Sequence, residues 1–467
     1  MRVPWPLLAV LAVQAALSVG MLRVRTAFGD EALYLSAGHL EWSHWLHGTQ
    51  IPEYQTWFSG APVIYPPVGA IADSLGGLVA ARLLSLVFML GVTSFVWSTT
   101  TRLLADDRAA FFAAALFAVL APTLHLGSYA TYDAPALLLL AAATWCGSGA
   151  GGSEKATRRI VAAGILLALA NATKYATALY DPTVVGVVLL SSWADAGRRE
   201  AVRRAALLAG TAAAVLGVLL ALGGAGYFTG IRVTTTGRIH GTDTASLVFT
   251  DAWSWTAVVG VPALIAVGLC VVRRRWPQAL LLALLGLSAL LAPVDQARIS
   301  TATSLNKHVD FGAWFAAIAA GYLLSILSRR RVVLVASLAA LIPVAAMGTA
   351  QARAMIDWPD EAGLVTVVGP LTAHGGHFLV ETNDVLQYYL PDTTWRQWSS
   401  TADDSLAYYE QAIARHYFSV VVLNFNQTPA ADDAITLALS ATSGYRLAAK
   451  VPSGNTVFYV WEYVGLV

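Results

Sequence analysis

The chain has 467 residues, 57% of them hydrophobic and only 12% charged, where a water-soluble chain of this size carries about twice that share of charge. Its net charge of +1 offers no basic footprint for a nucleic-acid partner. Two cysteines, Cys146 and Cys270, each at the end of an apolar run, exclude a disulfide framework.

Apolar runs long enough to cross a bilayer recur along the chain, so the sequence reads as a polytopic α-helical membrane protein. About eleven transmembrane helices are predicted: residues 4–22, 76–99, 109–126, 132–147, 159–173, 178–193, 205–225, 254–272, 278–294, 311–328 and 332–349. The first has the look of a signal peptide, but it lacks a small-x-small cleavage site and is followed by further spans, so it reads as a retained anchor.

Basic residues set the orientation. Arg2 and the loops holding Arg102 and Arg108, Lys155 to Arg159, Arg198 to Arg204, Arg273 to Arg275 and Arg329 to Arg331 contain 16 of the 29 basic residues. The positive-inside rule puts these loops and the N-terminus in the cytoplasm. The loop at 23–75 and everything after about residue 350 are then expected outside, in a multi-pass protein of the cell membrane. Abundant glycine and alanine, with arginine favoured over lysine, suit a high-GC bacterium.

Residues 1–350 are thus expected to form a membrane domain, with its longest external loop at 23–75. That loop is aromatic, and its start reads as an amphipathic helix with Leu33, Ala37 and Leu40 on one face. The loop at 226–253 is polar and threonine-rich, and the one at 295–310 holds Arg298, Lys307, His308 and Asp310. Residues 351–467 read as an external soluble α/β domain. Its signals are short apolar strands at 378–380 and 418–423, a helix over 404–416 and an alternating strand at 456–461.

The stretch Phe28-Gly29-Asp30-Glu31-Ala32-Leu33-Tyr34 follows directly on the first span. Two adjacent carboxylates at the mouth of a span are costly without a task. Neighbours on a helix diverge by about 100°, so only one can be the principal acid or base. The structural alternative is that Asp30 simply N-caps a helix.

Asp133, at the start of the fourth span before Pro135, is either a helix cap or a second carboxylate on the same side as Asp30. Lys174, between two spans, is either a lysine snorkelling to the interface or a cation for a lipid-linked phosphate. Arg82 lies within the second span, where an arginine needs a partner; Asp73 or an anionic headgroup would serve. His39, Glu41, His44 and His47 cluster in the first loop, but only His44 and His47 have helical ligand spacing, so a metal site has little support. His374, His377, Asp403 and Asp404 show no motif. No GxSxG, CxxC or HExxH occurs anywhere.

The ordered set Asp30-Glu31-x-x-Tyr34, Tyr65-Pro66-Pro67, Ala81-Arg82-Leu83, Tyr132-Asp133-x-Pro135 and Thr173-Lys174-Tyr175 resembles the GT-C glycosyltransferases that use polyprenyl-phosphate sugars. Protein O-mannosyltransferases and lipid A aminoarabinose transferases belong to that family. The resemblance covers residues 1–330 well and the tail loosely. The family's late basic residue corresponds at best to Lys307-His308.

The resemblance implies transfer of a sugar from a polyprenyl-phosphate donor to a hydroxyl of a lipid, glycan or protein acceptor. A lipid phosphate is already a good leaving group, so the demand is for a base on the acceptor, and a carboxylate in a partly dry site suits that work. Asp30 is the expected general base, with Glu31 orienting it or touching the sugar and Asp133 positioning acceptor or sugar. Lys174, Arg82, Lys307 and His308 would neutralise the departing phosphate, and Tyr34 would contact the donor. No cofactor is implied, and a divalent metal has no supporting motif. Two other classes compete: a transporter or lipid-linked sugar flippase, whose internal symmetry and broken midplane helices are not seen, and a non-catalytic assembly or sensor protein working through its tail.

Overall fold

The computed structural model describes residues 4–148 and 154–465. Its contacts divide the chain into two units. One comprises the residues up to Leu22 together with Leu40–Met355; the other comprises Arg23–His39 and Ile356–Val467.

The first unit is helical. It begins with α1 (Trp5–Val19), and helix α2 (Gly29–His47) contributes its second half. Then come α3 (Tyr65–Leu104), α4 (Asp107–Ala118), the short α5 (Ala121–Leu126), α6 (Asp133–Ser148), α7 (Glu154–Thr173), α8 (Asp181–Ala196) and α9 (Arg198–Gly223). After α10 (Ala225–Thr234) follow α11 (Ala245–Val272), α12 (Trp276–Leu287), α13 (Leu291–Arg298), α14 (Leu305–Leu327) and α15 (Arg331–Ala354).

Among the described residues, six helical stretches are long and apolar enough to cross a membrane: α3, α9, α11, α12 continued by α13, α14 and α15. The other expected spans coincide with α1, α4–α5, α6, α7 and α8, which are shorter or carry charge near one end. The burial pattern is that of a protein in lipid. Val332, Ile342, Leu222 and Val272 are more than 70% exposed, which a water-facing surface would not sustain in such numbers.

Helix α14 is the hub. From Val309 to Gly321 every residue is buried, against α4, α11 and α12. Small residues make the close approach, as is usual where lipid leaves packing to drive association. A Cβ at Gly321 would lie 2.4 Å from the Ala109 carbonyl oxygen.

Two loops expected from sequence are partly helical. The 226–253 stretch contains α10, and α13 and α14 take most of 295–310, so Lys307 and His308 lie in the first turn of α14. Helix α3 is broken at Gly76–Gly77, where Gly77 has φ 65°, a conformation that suits glycine alone. The break separates the Tyr65-Pro66-Pro67 segment from the span itself and leaves Arg82 just over one turn beyond it.

The second unit is built on a five-stranded sheet in the order β2-β1-β3-β5-β4. Strands β1 (His377–Val380), β2 (Trp398–Ser400) and β3 (Phe418–Leu423) are parallel; β4 (Tyr445–Ser453) and β5 (Thr456–Tyr463) complete it antiparallel. Phe378, Val380, Val420 and Val422 face a core with α16 (Ala362–Thr372), while Leu379, Val421 and Leu423 face α18 (Leu406–Ala414) and α19 (Pro429–Ala441). Burial on both faces explains the unbroken apolar run of β3. The short helix α17 (Asp384–Tyr389) follows β1.

Candidate functional site

In the first unit, one buried carboxylate is surrounded by basic groups. Asp133 opens α6 and is fully buried. The Lys174 ammonium donates to its Oδ1, and Thr131 Oγ1 donates to its Oδ2 at 3.0 Å. Lys174 is 3% exposed, so it is an internal ion-pair partner rather than a snorkelling side chain. Burial of both charges is tolerable only because they meet.

Local backbone explains why Lys174 arrives there. It is the extended residue that ends α7. The strip Ser59-Gly60-Ala61 pairs alongside it: Ala61 N–H donates to the Ala172 carbonyl at 2.7 Å and Tyr175 N–H to the Ser59 carbonyl at 2.9 Å. Gly60 is required in that strip, because a Cβ there would stand 2.0 Å from the Thr173 oxygen. Ser59 Oγ also bonds the Tyr132 hydroxyl, and Lys174 lies 5.0 Å from the centre of the Tyr132 ring.

A second lysine repeats the arrangement. Lys307, 5% exposed, lies 5.5 Å from the centre of the Tyr129 ring. Lys307 and His308 interact electrostatically with Asp133. His308 is held by Gln296, whose Nε2 is 2.7 Å from its Nδ1. Arg82, 2% exposed, donates to the Leu22 carbonyl at 2.9 Å. His125 ties these groups together: it interacts with Lys307, Asp133 and Arg82, and its ring stacks on Tyr129 at 4.9 Å.

Sequence reasoning missed His125 and Tyr129 and gave Tyr132, though part of a motif, no role. Their signal was present as the aromatic density of the eight residues before Asp133. It also left Asp310 without a role. Asp310 is fully buried on α14 and accepts from Thr123 Oγ1 at 2.8 Å, and its Oδ2 has no hydrogen-bond partner among the described residues.

His308 also lines a cavity of about 790 Å³. Its walls are mostly aliphatic, from Ile64, Leu169, Leu179, Leu216, Leu219 and Ile231 among others. Asn171, Asp181, Gln296, Arg238 and Arg298 add polar groups. The chamber therefore combines a long apolar wall with a polar edge of mixed charge, where Arg238 and Arg298 stand with Asp181 and Asp295.

The second unit holds the acidic stretch. Glu31 is fully buried, and its Oε2 accepts the Phe28 N–H at 3.0 Å. With α2 starting at Gly29, this is the third-position carboxylate closing back on the residue before the helix. The alternative that Asp30 N-caps this helix does not hold, because α2 begins before it at Gly29 and the bond back to Phe28 comes from Glu31. Asp30 and Asp384 interact electrostatically, and the Asp384 Oδ2 lies 3.9 Å from where a Gly29 Cβ would be. Burial, then Asp30 and Asp403, push Asp384 up to about 7. Burial, then Asp384 and Asp360, push Glu361 up to about 8.

The same segment is strapped to the rest of its unit. Trp358 Nε1 donates to the Thr26 carbonyl at 3.0 Å, Ala27 N–H to the Tyr389 hydroxyl at 3.0 Å, and the Phe28 and Trp358 rings lie 5.2 Å apart. Tyr34 is buried on α2.

Three of the remaining candidates, His44, His377 and Asp403, have local partners. His44 Nδ1 is 2.8 Å from the Thr49 carbonyl oxygen. His377 stacks on Tyr417 at 4.2 Å, and Asp403 accepts the Ser400 N–H at 2.7 Å. Among the described residues no three His, Cys, Asp or Glu side chains group as metal ligands.

Residues 70–222 match the family described as dolichyl-phosphate-mannose-protein mannosyltransferase. No curated protein matches the chain in sequence. Among solved structures, the chain is similar to ArnT from Cupriavidus metallidurans in the apo state, with a TM-score of 0.61 at 13% identity over 97% of both chains. The same protein bound to undecaprenyl phosphate gives 0.62 at 14% identity, again over 97% of both. The archaeal oligosaccharyltransferase AglB from Archaeoglobus fulgidus, in complex with an inhibitory peptide and a dolichol-phosphate, gives 0.61 at 13% identity over 97% of this chain and 74% of its own. These likenesses establish the fold: the chain has the membrane GT-C architecture.

Proposed function

We propose that this chain is an integral-membrane glycosyltransferase that moves a sugar from a polyprenyl-phosphate-linked donor to an acceptor hydroxyl. The observation that carries the reading is the 790 Å³ cavity with His308 in its wall, since His308 is an electrostatic neighbour of Lys174 and Lys307. An isoprenoid chain needs an aliphatic chamber, and its phosphate needs buried cations at one edge. The family match over residues 70–222 supports the same donor class, as do the relatives solved with undecaprenyl phosphate and dolichol-phosphate.

The chemistry follows from the groups. As the bond from sugar to phosphate breaks, negative charge grows on the departing phosphate. Lys174, Lys307, Arg82 and His308 stabilise that charge best in a dry site. Asp133 acts on Lys174: it fixes the ammonium and holds the internal ion pair, which is a positioning role. Asp30 takes the proton of the attacking hydroxyl. Glu31, engaged with the Phe28 N–H, sets the start of the helix that carries Asp30, and Tyr34 contributes to donor binding. The arginine-rich loops support a cytoplasmic N-terminus and an external α/β unit, the apolar runs about eleven spans, and the composition a bacterial cell membrane.

The test is transfer of label from a polyprenyl-phosphate sugar in membranes containing the wild-type chain or Asp30→Asn. Transfer by wild type and its loss in the variant are expected. Donor turnover that is the same with and without the protein overturns the reading.

A further inference from the structure

A smaller pocket of about 310 Å³ lies in the first unit between the second half of α2, residues 51–55 and α10. It shares Val63 and Tyr227 with the large cavity, so the two are neighbours with a common wall. Close packing shapes it. Gly226 and Gly230, one turn apart on α10, lie against the residue 55–56 backbone and side chain; a Cβ would stand 2.8 Å from Gln55 Cγ and 2.2 Å from the Gln55 oxygen respectively. That approach brings Tyr227 and Gln55 into the pocket wall beside Glu41, His44, Trp45 and Glu53.

Glu41 is the unexplained member. It is 5% exposed, lines the pocket, and its carboxylate makes neither a hydrogen bond nor an ion pair among the described residues. Its electrostatic neighbours are His44 and Tyr227. Glu41 is thus a largely buried residue whose unpaired carboxylate opens onto a polar pocket, where a ligand hydroxyl can reach it.

We propose that this pocket binds a sugar ring of a glycan acceptor, with Glu41 and Glu53 taking ring hydroxyls and Trp45 and Tyr227 flanking its apolar face. The word acceptor rests on the glycosyltransferase reading; the sugar site itself does not. Two features favour a polyol over other ligands. The Glu41 and Glu53 carboxylates both line the pocket and can accept from ring hydroxyls. The Gln55 amide offers one donor group and one acceptor beside them. A metal is not favoured, because Glu41, His44 and Glu53 do not group as ligands among the described residues.

The test uses the full-length protein in detergent and saturation-transfer NMR with three probes, the methyl glycosides of glucose, mannose and galactose, and with ethanolamine as a cationic control. At least one glycoside is expected to receive saturation from wild type. Its signal should fall about fivefold or more in Glu41→Leu, as loss of a hydrogen bond to a charged group implies. Trp45 is 47% exposed, so Trp45→Ala keeps the fold and provides a second variant with the same expected loss. No glycoside signal, equal signals in both variants, or a Glu41-dependent signal from ethanolamine instead would overturn the proposal. Binding of undecaprenyl phosphate, measured on the same preparations, should persist in both variants. If wild type binds a glycoside but not undecaprenyl phosphate, the sugar site stands and the donor reading fails.

Discussion

Asp133 and Asp384 are both carboxylates drawn away from water, but their neighbours differ in sign. Asp133 faces Lys174, Lys307 and His308. Asp384 faces Asp30, Asp403 and Glu361. The first arrangement makes a charge permanent, because removing either partner strands the other in a low-dielectric interior. The second makes a charge negotiable, since burial first, and then like charges close by, favour a retained proton near neutral pH. A site that must neutralise phosphate needs the first kind of group; a site that exchanges a proton with a hydroxyl needs the second.

The largest expected effect tests both halves of that contrast through Asp30. Asp30→Asn should lower single-turnover sugar transfer by about a hundred- to ten-thousandfold, the usual cost of a lost general base. It should also release Asp384 from a like charge, so that Asp384 titrates below about 7. Glu31→Gln should cost far less, because glutamine can still accept the Phe28 N–H as the capping partner. Full activity of Asp30→Asn would reduce the acidic stretch to a helix start.

Next in size is the internal ion pair. Lys174→Met leaves Asp133 uncompensated and should destabilise the membrane unit by about 3–5 kcal/mol. Lys174→Met combined with Asp133→Leu should recover most of that stability but not donor binding. If the double variant is no more stable than the single one in thermal unfolding, the pair is not what holds α6 to the end of α7.

Acidity should act on the second unit in a defined direction. Asp384 and Glu361 rise from ordinary values of 3.8 and 4.5 to about 7 and about 8. Raised carboxyl groups stabilise the folded form fully below the ordinary values, and that contribution is lost as pH rises through about 7 to 8. Hydrogen exchange in β1 and β3, corrected for intrinsic rates, should therefore show easier opening at pH 9 than at pH 5. Asp384→Asn should flatten that dependence.

The smallest effect is expected from a pair that is neither buried nor crowded. Arg446 and Glu462 face each other across β4 and β5 at 3.1 Å, with Arg446 66% exposed. Arg446→Ala should change stability by less than about 1 kcal/mol. A larger loss on chemical unfolding would mean that the sheet edge depends on surface charge.

By itself, the sequence determined where apolar runs become helices, because length and hydropathy are local properties. It also pointed to β1, β3 and β5, whose apolar or alternating patterns are complete within a few residues. It did not reveal β2, only three residues long, or β4, whose burial pattern is mostly exposed; both become strands through pairing with partners already in place. Arg82, Asp133, Lys174 and Lys307 were visible as costly charges near apolar spans. That Lys174 meets Asp133, 41 positions away, was decided by the Gly60 strip and the end of α7. Likewise, adjacency alone could not tell whether Asp30 or Glu31 closes the turn of α2. The direction of each side chain settled that, and direction is a property of the folded backbone.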